Sequence, residues 1–523
     1  MELRETGVQE LCKPLCRAFA PVDEAAGTQC SETLQTPVSG LRPRRSDLEK
    51  TMFKDFESAV AYIRDNEIKM IDLKFTDLAG RWHHVTLPTS QFGEDIMRDG
   101  VAFDASAIGL RPVKAGDMVL LLNVSTAFRD PYWDVPTLSF VCSAFEADTK
   151  LPFGRDPRNI AARAESYMRE LGVADESRWG PEYEFYVFDS VSFENEVNAA
   201  SYRVESSEAD WQSSRGGHGH LIPRHGGYHA IPPKDQLFNL RSEMVMVLES
   251  MGIEVKYHHH EVGGPGQCEI ETPMMGMVRC GDATQIVKYV TKMTARRNQK
   301  TATFMPKPLF GEAGSGMHFH QQLFKGGRNL FYDSQGYGKL SNIALLYIGG
   351  LLTHGPALLA FTNPSTNSYR RLVTGYEAPV NAFFSLGNRS AAIRVPKYAD
   401  QPDSARFEFR PPDATCNIYL ALAAQLMAGI DGIRRKIDPR ETGMGPIEQN
   451  IFTWSEEQRK SIRPLPGSLN EALDALERDH DFLLQGEVFD SGQIAEWIRF
   501  KREEYYSVRN RPHPFEVATY FDV

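Results

Sequence analysis

Apolar residues recur along most of this chain with a helical or a strand period. From Phe53 to about Asn66 the spacing is that of one helical face. The stretch MIDLKFTDLAGRWHHVTLP, from Met70, alternates at period two around Asp77 to Gly80, which predicts two strands and a turn. Leu237, Leu240, Met244, Val247, Leu248 and Met251 form a helical stripe within Pro233 to Met251, and Gly252 reads as its stop. The apolar run Ala344 to Phe361 is broken by Gly349, Gly350, His354, Gly355 and Pro356, which predicts two buried helical pieces and no membrane span. Near the C-terminus, Ile494, Trp497 and Ile498 mark the inner face of a helix beginning near Asp490, with Gln493 placed as a capping-box partner.

Four predicted strands break the apolar pattern. Residues two apart on a strand share a face, and in GPEYEFYVF, from Gly180, the two are Glu182 and Glu184. Adjacent anions repel, and a hard divalent cation such as Mg²⁺ or Mn²⁺ relieves the repulsion. The spacing returns in His259 and Glu261, with Glu269 following a Gly-Gly-Pro-Gly turn, in His318 and His320, and in Glu408 and Arg410 with Arg406 on the same face. Four such strands imply a sheet whose concave face is a polar funnel for cations and anions. Three consecutive histidines, His258 to His260, cannot all bind one ion from a strand, so one or two serve the polar face and the remainder is structural.

At 523 residues the chain is too long for a single core, and two domains are expected. A net charge of -11 argues against nucleic-acid binding, which needs a basic surface. The seven cysteines form no paired pattern and read as reduced thiols of a cytoplasmic protein. Residues 1–52 carry prolines and scattered charge without a sustained period, and their acidic residues do not suit a targeting peptide. They are expected to be a disordered extension, or to precede a true start near Met52. A mixed β domain is expected over 53–150, and a larger domain of alternating helices and strands over 151–523.

FDASA at Phe103, GPEYEF at Gly180, HHHEV with GQCE, KTATFMPKPLFGEAGSGMHFH from Lys300, NPSTNSYRRLVTGYEAPV from Asn363, NRSAAIRVP from Asn388 and ARFEFRPPDATCNIYLALAAQLMAG from Ala405 stand in this order. Together they resemble bacterial-type (class I) glutamine synthetase, in register from about residue 53 to the C-terminus. The resemblance implies an α+β fold: a small N-terminal β-grasp-like domain, then a large catalytic domain with a curved antiparallel sheet and flanking helices. It also implies a dodecamer of two stacked hexameric rings with sites between subunits, and an apolar tail, ATYFDV, that docks on the opposite ring.

By the same resemblance the site takes two or more Mg²⁺ or Mn²⁺ ions: Glu184, Glu261 and Glu269 hold one, and Glu182, His318 and Glu408 a second. Arg371, Gly314 and Arg410 contact L-glutamate, Arg389 and Arg394 the phosphates, and His320 and Gln322 the nucleotide. Asp104 receives ammonium, and Glu377 lies on a flap over the site. The implied reaction phosphorylates the γ-carboxylate of glutamate with ATP and lets ammonia displace the phosphate, with a carboxylate to take the proton of ammonium. Ala313, Gln322 and Lys256 depart from the family pattern, Lys256 standing where a nucleotide-contacting acid is common. Phe452, in NIFTW, occupies the place of the tyrosine that other members adenylylate, which predicts no such control here. A γ-glutamyl-polyamine or other γ-glutamyl-amide synthetase, or a non-catalytic member, are the alternatives; the intact Asp104, flap motif and metal-ligand positions speak for ammonia and for catalysis.

Overall fold

Strand pairing across two sheets sets the position of every group singled out above. The computed structural model describes residues 53–110, 116–211, 219–373, 378–449, 451 and 454–522. The expectations for residues 1–52, for Glu377 and for Phe452 lie outside the described residues.

The first sheet follows a helix over Phe56–Asp65, whose N-cap Asp55 accepts from the Ser58 amide at 2.9 Å. Its strands are β1 (Met70–Thr76), β2 (Trp82–Pro88), β3 (Val101–Asp104), β4 (Asp117–Leu122), β5 (Phe128–Asp130) and β6 (Thr137–Glu146). They run in the order β2-β1-β6-β4-β3, with β5 on β6, and β1 lies parallel to β6. The predicted turn after β1 forms: the Gly80 amide donates to the Asp77 carbonyl at 3.0 Å. Gly80 adopts φ +85°, and a Cβ there would lie 2.8 Å from the Asn417 Cα, so both conformation and space require glycine. The amide of Asn417 donates to the Asp77 and Leu78 carbonyls at 3.0 and 3.1 Å, tying this turn to a helix far along the chain.

The second sheet holds β7 (Glu176–Phe188), β10 (Tyr257–His260), β11 (Gln267–Glu271), β12 (Met275–Gly276), β13 (Thr301–Thr303), β14 (Phe319–Lys325), β15 (Arg328–Asn329), β16 (Asn381–Leu386), β17 (Ala391–Val395) and β18 (Phe407–Phe409). The order is β10-β11-β7-β14-β18-β17-β16, antiparallel except for β16 with β17. β8 (Ser190–Asn195) and β9 (Ala200–Glu205) form a separate, largely exposed hairpin.

Helices pack against the apolar side of the large sheet. Met277–Arg297 and Ile418–Arg435 are largely buried, and the main core runs from Phe128 and Trp179 through Phe319 and Tyr419 to Trp497. The run Ala344 to Phe361 forms two buried helices, Asn342–Thr353 and Gly355–Thr362, bent by 74° at His354. Among the described residues no single helix is long and apolar enough to cross a membrane. The first of the pair lies so close to Ile418–Arg435 that a Cβ on Gly350 would lie 2.9 Å from the Gly432 Cα.

The helix expected from Pro233 begins later, at Phe238, and ends at Ser250 with Gly252 at φ +80°. Residues before Phe238 are held in a turn: Asp235 accepts from the Leu237 amide and pairs with the buried Arg241, while Glu208 accepts from the Gln236 amide. The C-terminal helix Ser491–Arg509 starts at the expected place, Asp490 accepting from the Gln493 amide at 2.8 Å, and buries Ile494, Trp497 and Ile498; the capping box is only half formed, because the Gln493 side chain is buried without a hydrogen-bond partner among the described residues instead of reaching back to Asp490. After it, Pro514–Tyr520 is an exposed helix.

Candidate active site

Register places glutamates opposite glutamates. β11 lies antiparallel to β7 with Glu269 opposite Glu184 and Glu271 opposite Glu182, and His259 of β10 lies opposite Glu269. Beyond β7, His320 of β14 lies opposite Glu408 of β18, which in turn lies opposite Arg394 of β17. Period-two alternation thus turns His259, Glu269, Glu184, Glu271, Glu182, His320, Glu408 and Arg394 onto one face in adjoining rows. Like charges directly opposite across strands are destabilising, and here two such pairs stand on neighbouring same-face positions.

The part of the face nearest β17 is balanced by cations. Glu408 is fully buried, accepts from Arg394 at 2.8 Å and pairs closely with Arg410, while His320 Nε2 stands 3.6 Å away. Burial would raise its carboxyl, but Arg410, then His320 and Arg394, hold it below the ordinary value. Burial likewise opposes ionisation of Glu182, and hydrogen bonds with His318 Nδ1 at 2.7 Å and His320 Nε2 at 3.0 Å outweigh it, leaving that carboxyl well below its usual range.

Beside β10 the balance reverses. Burial, followed by the charge of Glu184, pushes Glu261 up to about 7, and burial with Glu182, Glu184 and Glu261 pushes Glu269 well above the ordinary carboxylate value. Glu184 is steadied by the Gly316 amide at 2.9 Å. Glu271 is 2% exposed; one oxygen accepts from Lys256 Nζ at 2.6 Å, and the other has no hydrogen-bond partner among the described residues. Carboxylate and imidazole atoms of His259, Glu261 and Glu269, of Glu182, His320 and Glu408, and of Glu182, Glu269 and Glu271 lie within 4.8 Å of one another in each group. Excess buried negative charge, an orphaned carboxylate oxygen and an oxygen-rich donor set fit hard divalent ions.

Arginines line the adjoining wall. Arg371, at the end of the short helix Ser368–Arg371, donates to the Pro411 carbonyl at 2.7 Å and approaches His318 Nε2 at 3.4 Å. The loop before β14 packs against it: a Cβ on Gly314 would lie 2.7 Å from Arg371 Cγ, and one on Gly316 would collide with the guanidinium. The Gly314 carbonyl accepts from Gln267 at 3.0 Å. Arg410 Nε donates to the Arg389 carbonyl at 3.1 Å, so Arg389 sits beside Arg410 with its own side chain exposed. Arg394 keeps a buried Nε without a hydrogen-bond partner among the described residues.

Three further expected residues lie outside these two walls or among the carboxylates. Asp104 ends β3 on the small sheet, exposed, and accepts from the Ser106 hydroxyl and amide at 2.6 and 2.8 Å, bonds that hold its carboxyl below the ordinary value. Gln322 is buried and donates to the Asp403 and Ala405 carbonyls. His320, expected at the nucleotide, lies beside Glu182 and Glu408, and its Nδ1 is buried without a hydrogen-bond partner among the described residues. Of the three consecutive histidines, only His259 faces the cluster, 3.7 Å from Glu269; His258 accepts from Arg241 at 3.3 Å, and His260 is bonded to Glu208 at 3.1 Å. Glu271 was not foreseen from the sequence. The signal was there, because QCEIE repeats the E-x-E spacing of PEYE on the next strand.

A family model for the glutamine synthetase catalytic domain matches residues 154–520, and one for the glutamine synthetase β-grasp domain matches residues 67–147. A glutamine synthetase of Frankia alni is 48% identical over 478 residues, covering 90% of this chain and 100% of that one. One from a Nostoc species is 46% identical over 469 residues, 88% of this chain and 98% of its own. Among solved structures, a cryo-EM structure of Plasmodium falciparum glutamine synthetase matches 90% of this chain and 99% of its own, with a TM-score of 0.80 and 27% identity.

Proposed function

The chain belongs to the glutamine synthetase family, and from that premise we propose that it ligates ammonia to the γ-carboxylate of L-glutamate at the expense of ATP, giving glutamine, ADP and phosphate. The observation that carries the reading is the double row of facing glutamates, half-buried Glu182 with buried Glu271 and buried Glu184 with buried Glu269, continued by Arg371, Arg394 and Arg410. Use of ATP and divalent metal follows from membership of the family.

Glu184, Glu261 and Glu269 would hold one Mg²⁺ or Mn²⁺, and Glu182, His318 and Glu408 a second, His320 being near enough to share it. Such ions, when bound, neutralise phosphate charge and polarise the transferred phosphoryl group. The protein's own groups do the rest. Arg371, fixed by proline carbonyls and the loop around Gly314, offers a preset guanidinium to the α-carboxylate of glutamate. Arg410 stands at the γ-carboxylate, and Arg389 and Arg394 stabilise charge on the phosphoryl oxygens. Attack by ammonia needs a carboxylate that stays ionised. Asp104, held below the ordinary value by Ser106, stays ionised and suits electrostatic capture of ammonium; taking the proton as nitrogen attacks is assigned to the same carboxylate, for which the lowered value supplies no driving force. Glu377 is assigned to the flap that keeps water from the acyl phosphate.

Asp104 is exposed and its hydrogen bonds are local, which supports its completing a neighbouring subunit's site in a dodecamer of two hexameric rings. The exposed helix Pro514–Tyr520, with Phe515 and Phe521 uncovered, suits docking between rings. Four buried cysteines, Cys142, Cys268, Cys280 and Cys416, are unpaired, which fits the reducing cytoplasm. A boundary near residue 150, between β6 and the helix Pro157–Glu170, completes the domain reading.

Single-turnover rapid quench with chemical trapping of γ-glutamyl phosphate tests the assignment. Asp104→Asn should form the intermediate at a near-normal rate and convert it slowly with ammonium, whereas Arg389→Ala should suppress its formation. An Asp104→Asn enzyme that makes no intermediate, or that forms glutamine at the wild-type rate, contradicts the reading.

A further inference from the structure

The facing pairs Glu271 with Glu182 and Glu269 with Glu184 are followed along the same two strands by a neutral pair, Gln267 opposite Tyr186. Both are buried, and alternation puts them on the face that carries the glutamates. A buried hydroxyl and a buried amide need hydrogen-bond partners, and both find them in the loop before β14. Tyr186 donates its hydroxyl hydrogen to the Ala313 carbonyl at 2.7 Å. Gln267 donates to the Gly314 carbonyl at 3.0 Å and to the Ser315 hydroxyl at 3.3 Å. Glu184, next along the face from Tyr186, accepts from the Gly316 amide at 2.9 Å, and the Pro306 carbonyl accepts from the Ser315 amide at 2.8 Å. Four consecutive residues are therefore pinned one by one. Ala313, Gly314 and Gly316 have no polar side chains, so their place rests on these backbone contacts.

We propose that Tyr186, with Gln267, is a positioning residue for L-glutamate: the pair fixes the loop 313–316, and the loop in turn fixes the Arg371 guanidinium assigned to the α-carboxylate. Contact between loop and arginine is close enough to transmit a shift, since a Cβ on Gly314 would stand 2.7 Å from Arg371 Cγ and one on Gly316 would collide with the guanidinium. Tyr186 is itself held from several sides. Its ring stacks on Phe188 at 5.5 Å and packs with Leu309, on the segment that leads into the loop. Its hydroxyl abuts Gly263, where a Cβ would collide with it and stand 2.7 Å from Gln267 Oε1. The Gly263 amide donates to Gln267 Oε1 at 2.7 Å, which turns Nε2 of that side chain toward the loop. Burial, then the charges of Glu312, Glu184 and Glu261, push the Tyr186 hydroxyl well above its ordinary value, so it stays a neutral donor.

This inference rests on the proposed reaction and on Arg371 as its glutamate contact, and the test separates the two. Steady-state kinetics of the full-length protein with L-glutamate, ammonium and ATP are compared for wild type, Tyr186→Phe and Gly263→Ala. Amide exchange of a peptide covering residues 310–317 is read beside them by mass spectrometry. Tyr186→Phe removes one buried hydroxyl and should raise KM for glutamate about fivefold, the size of one neutral hydrogen bond, with kcat and KM for ATP within about twofold. Exchange in the peptide should quicken in the same variant. Gly263→Ala displaces that hydroxyl by collision, so it should raise KM for glutamate in the wild-type background and by a smaller factor in the Tyr186→Phe background, the two changes acting on one contact. An unchanged KM for glutamate in folded Tyr186→Phe, or a KM for ATP raised by the same factor, overturns the inference and leaves the reaction intact. Equal factors for Gly263→Ala in both backgrounds also overturn it. A wild type that makes no glutamine from these substrates removes the functional reading itself. If Tyr186→Phe does not fold, Gly263→Ala decides alone: an unchanged KM for glutamate overturns the proposal.

Discussion

Each carboxylate of the cluster is set by what lies across the strand from it. Glu182 accepts from two histidines and also faces Glu271, so its loss removes a ligand position and unbalances His318 and His320 together. Glu182→Ala is expected to lower turnover at saturating Mg²⁺ by about a hundredfold or more, several kcal/mol of transition-state stabilisation, while equilibrium binding of glutamate changes little. Steady-state kinetics beside calorimetric glutamate binding checks this, and near-normal turnover contradicts it. Gly316 acts on the other substrate. A methyl there would meet the Arg371 guanidinium and lie 3.0 Å from His318 Nε2. Gly316→Ala should therefore raise KM for glutamate roughly tenfold, about 1.4 kcal/mol, with little change in KM for ATP.

Among the elements, the bent pair of helices at His354 is the most exacting junction. His354 is 2% exposed, stacks on Phe482 at 4.0 Å, and bonds Asp431 through Nε2 at 2.8 Å and Asp479 through Nδ1 at 2.9 Å, with Arg435 also on Asp431. Burial opposes the imidazolium, but the two aspartates outweigh it and raise its pKa above the ordinary value. A histidine raised on folding contributes stability that is full below its unfolded value, roughly 6.5, and is lost as pH rises through the folded value. The stability gap between wild type and His354→Gln should thus be about 1–3 kcal/mol near pH 5.5 and smaller at pH 9. Thermal unfolding of both proteins across that range measures it, and a gap that grows with pH contradicts it. Where the first of these helices crosses Ile418–Arg435, Gly350→Ala would drive a methyl into the Ala428 carbonyl and toward Gly432. Neither backbone has room to yield, so a loss of about 3 kcal/mol or more is expected in thermal unfolding, at the upper end for overpacking.

At the scale of the whole molecule, the groups assigned to the two half-reactions stand on different sheets. Asp104 ends a strand of the small sheet, while the glutamates and arginines belong to the large one. If sites are shared between neighbours, Asp104→Asn and Glu182→Ala are defects in different halves of each site. Unfolding the two variants together and reassembling them should therefore yield glutamine synthesis well above that of either parent treated alone, because some neighbouring subunits then pair two intact halves. Activity no greater than the parents' mean contradicts the shared site.

The sequence by itself determined the periodic elements and the chemistry they carry. Period-two runs set β1, β2 and β7, the broken apolar run set two helices at His354, and Glu182, Glu184, His318 and Glu408 announced themselves as polar residues where a core strand calls for apolar ones. These features are local, fixed by dihedral preference and by which face meets the core. Pairing between strands distant in the chain is not local. Only the tertiary structure decided that Glu271 faces Glu182, that His320 reaches Glu408, and that His258 and His260 turn to Arg241 and Glu208. It also moved a helix start from Pro233 to Phe238, since Asp235 and Glu208 bind the intervening backbone and Arg241 more strongly than helix propensity holds it. Register and long-range ion pairing are properties of the assembled sheet, and no window of sequence contains both partners.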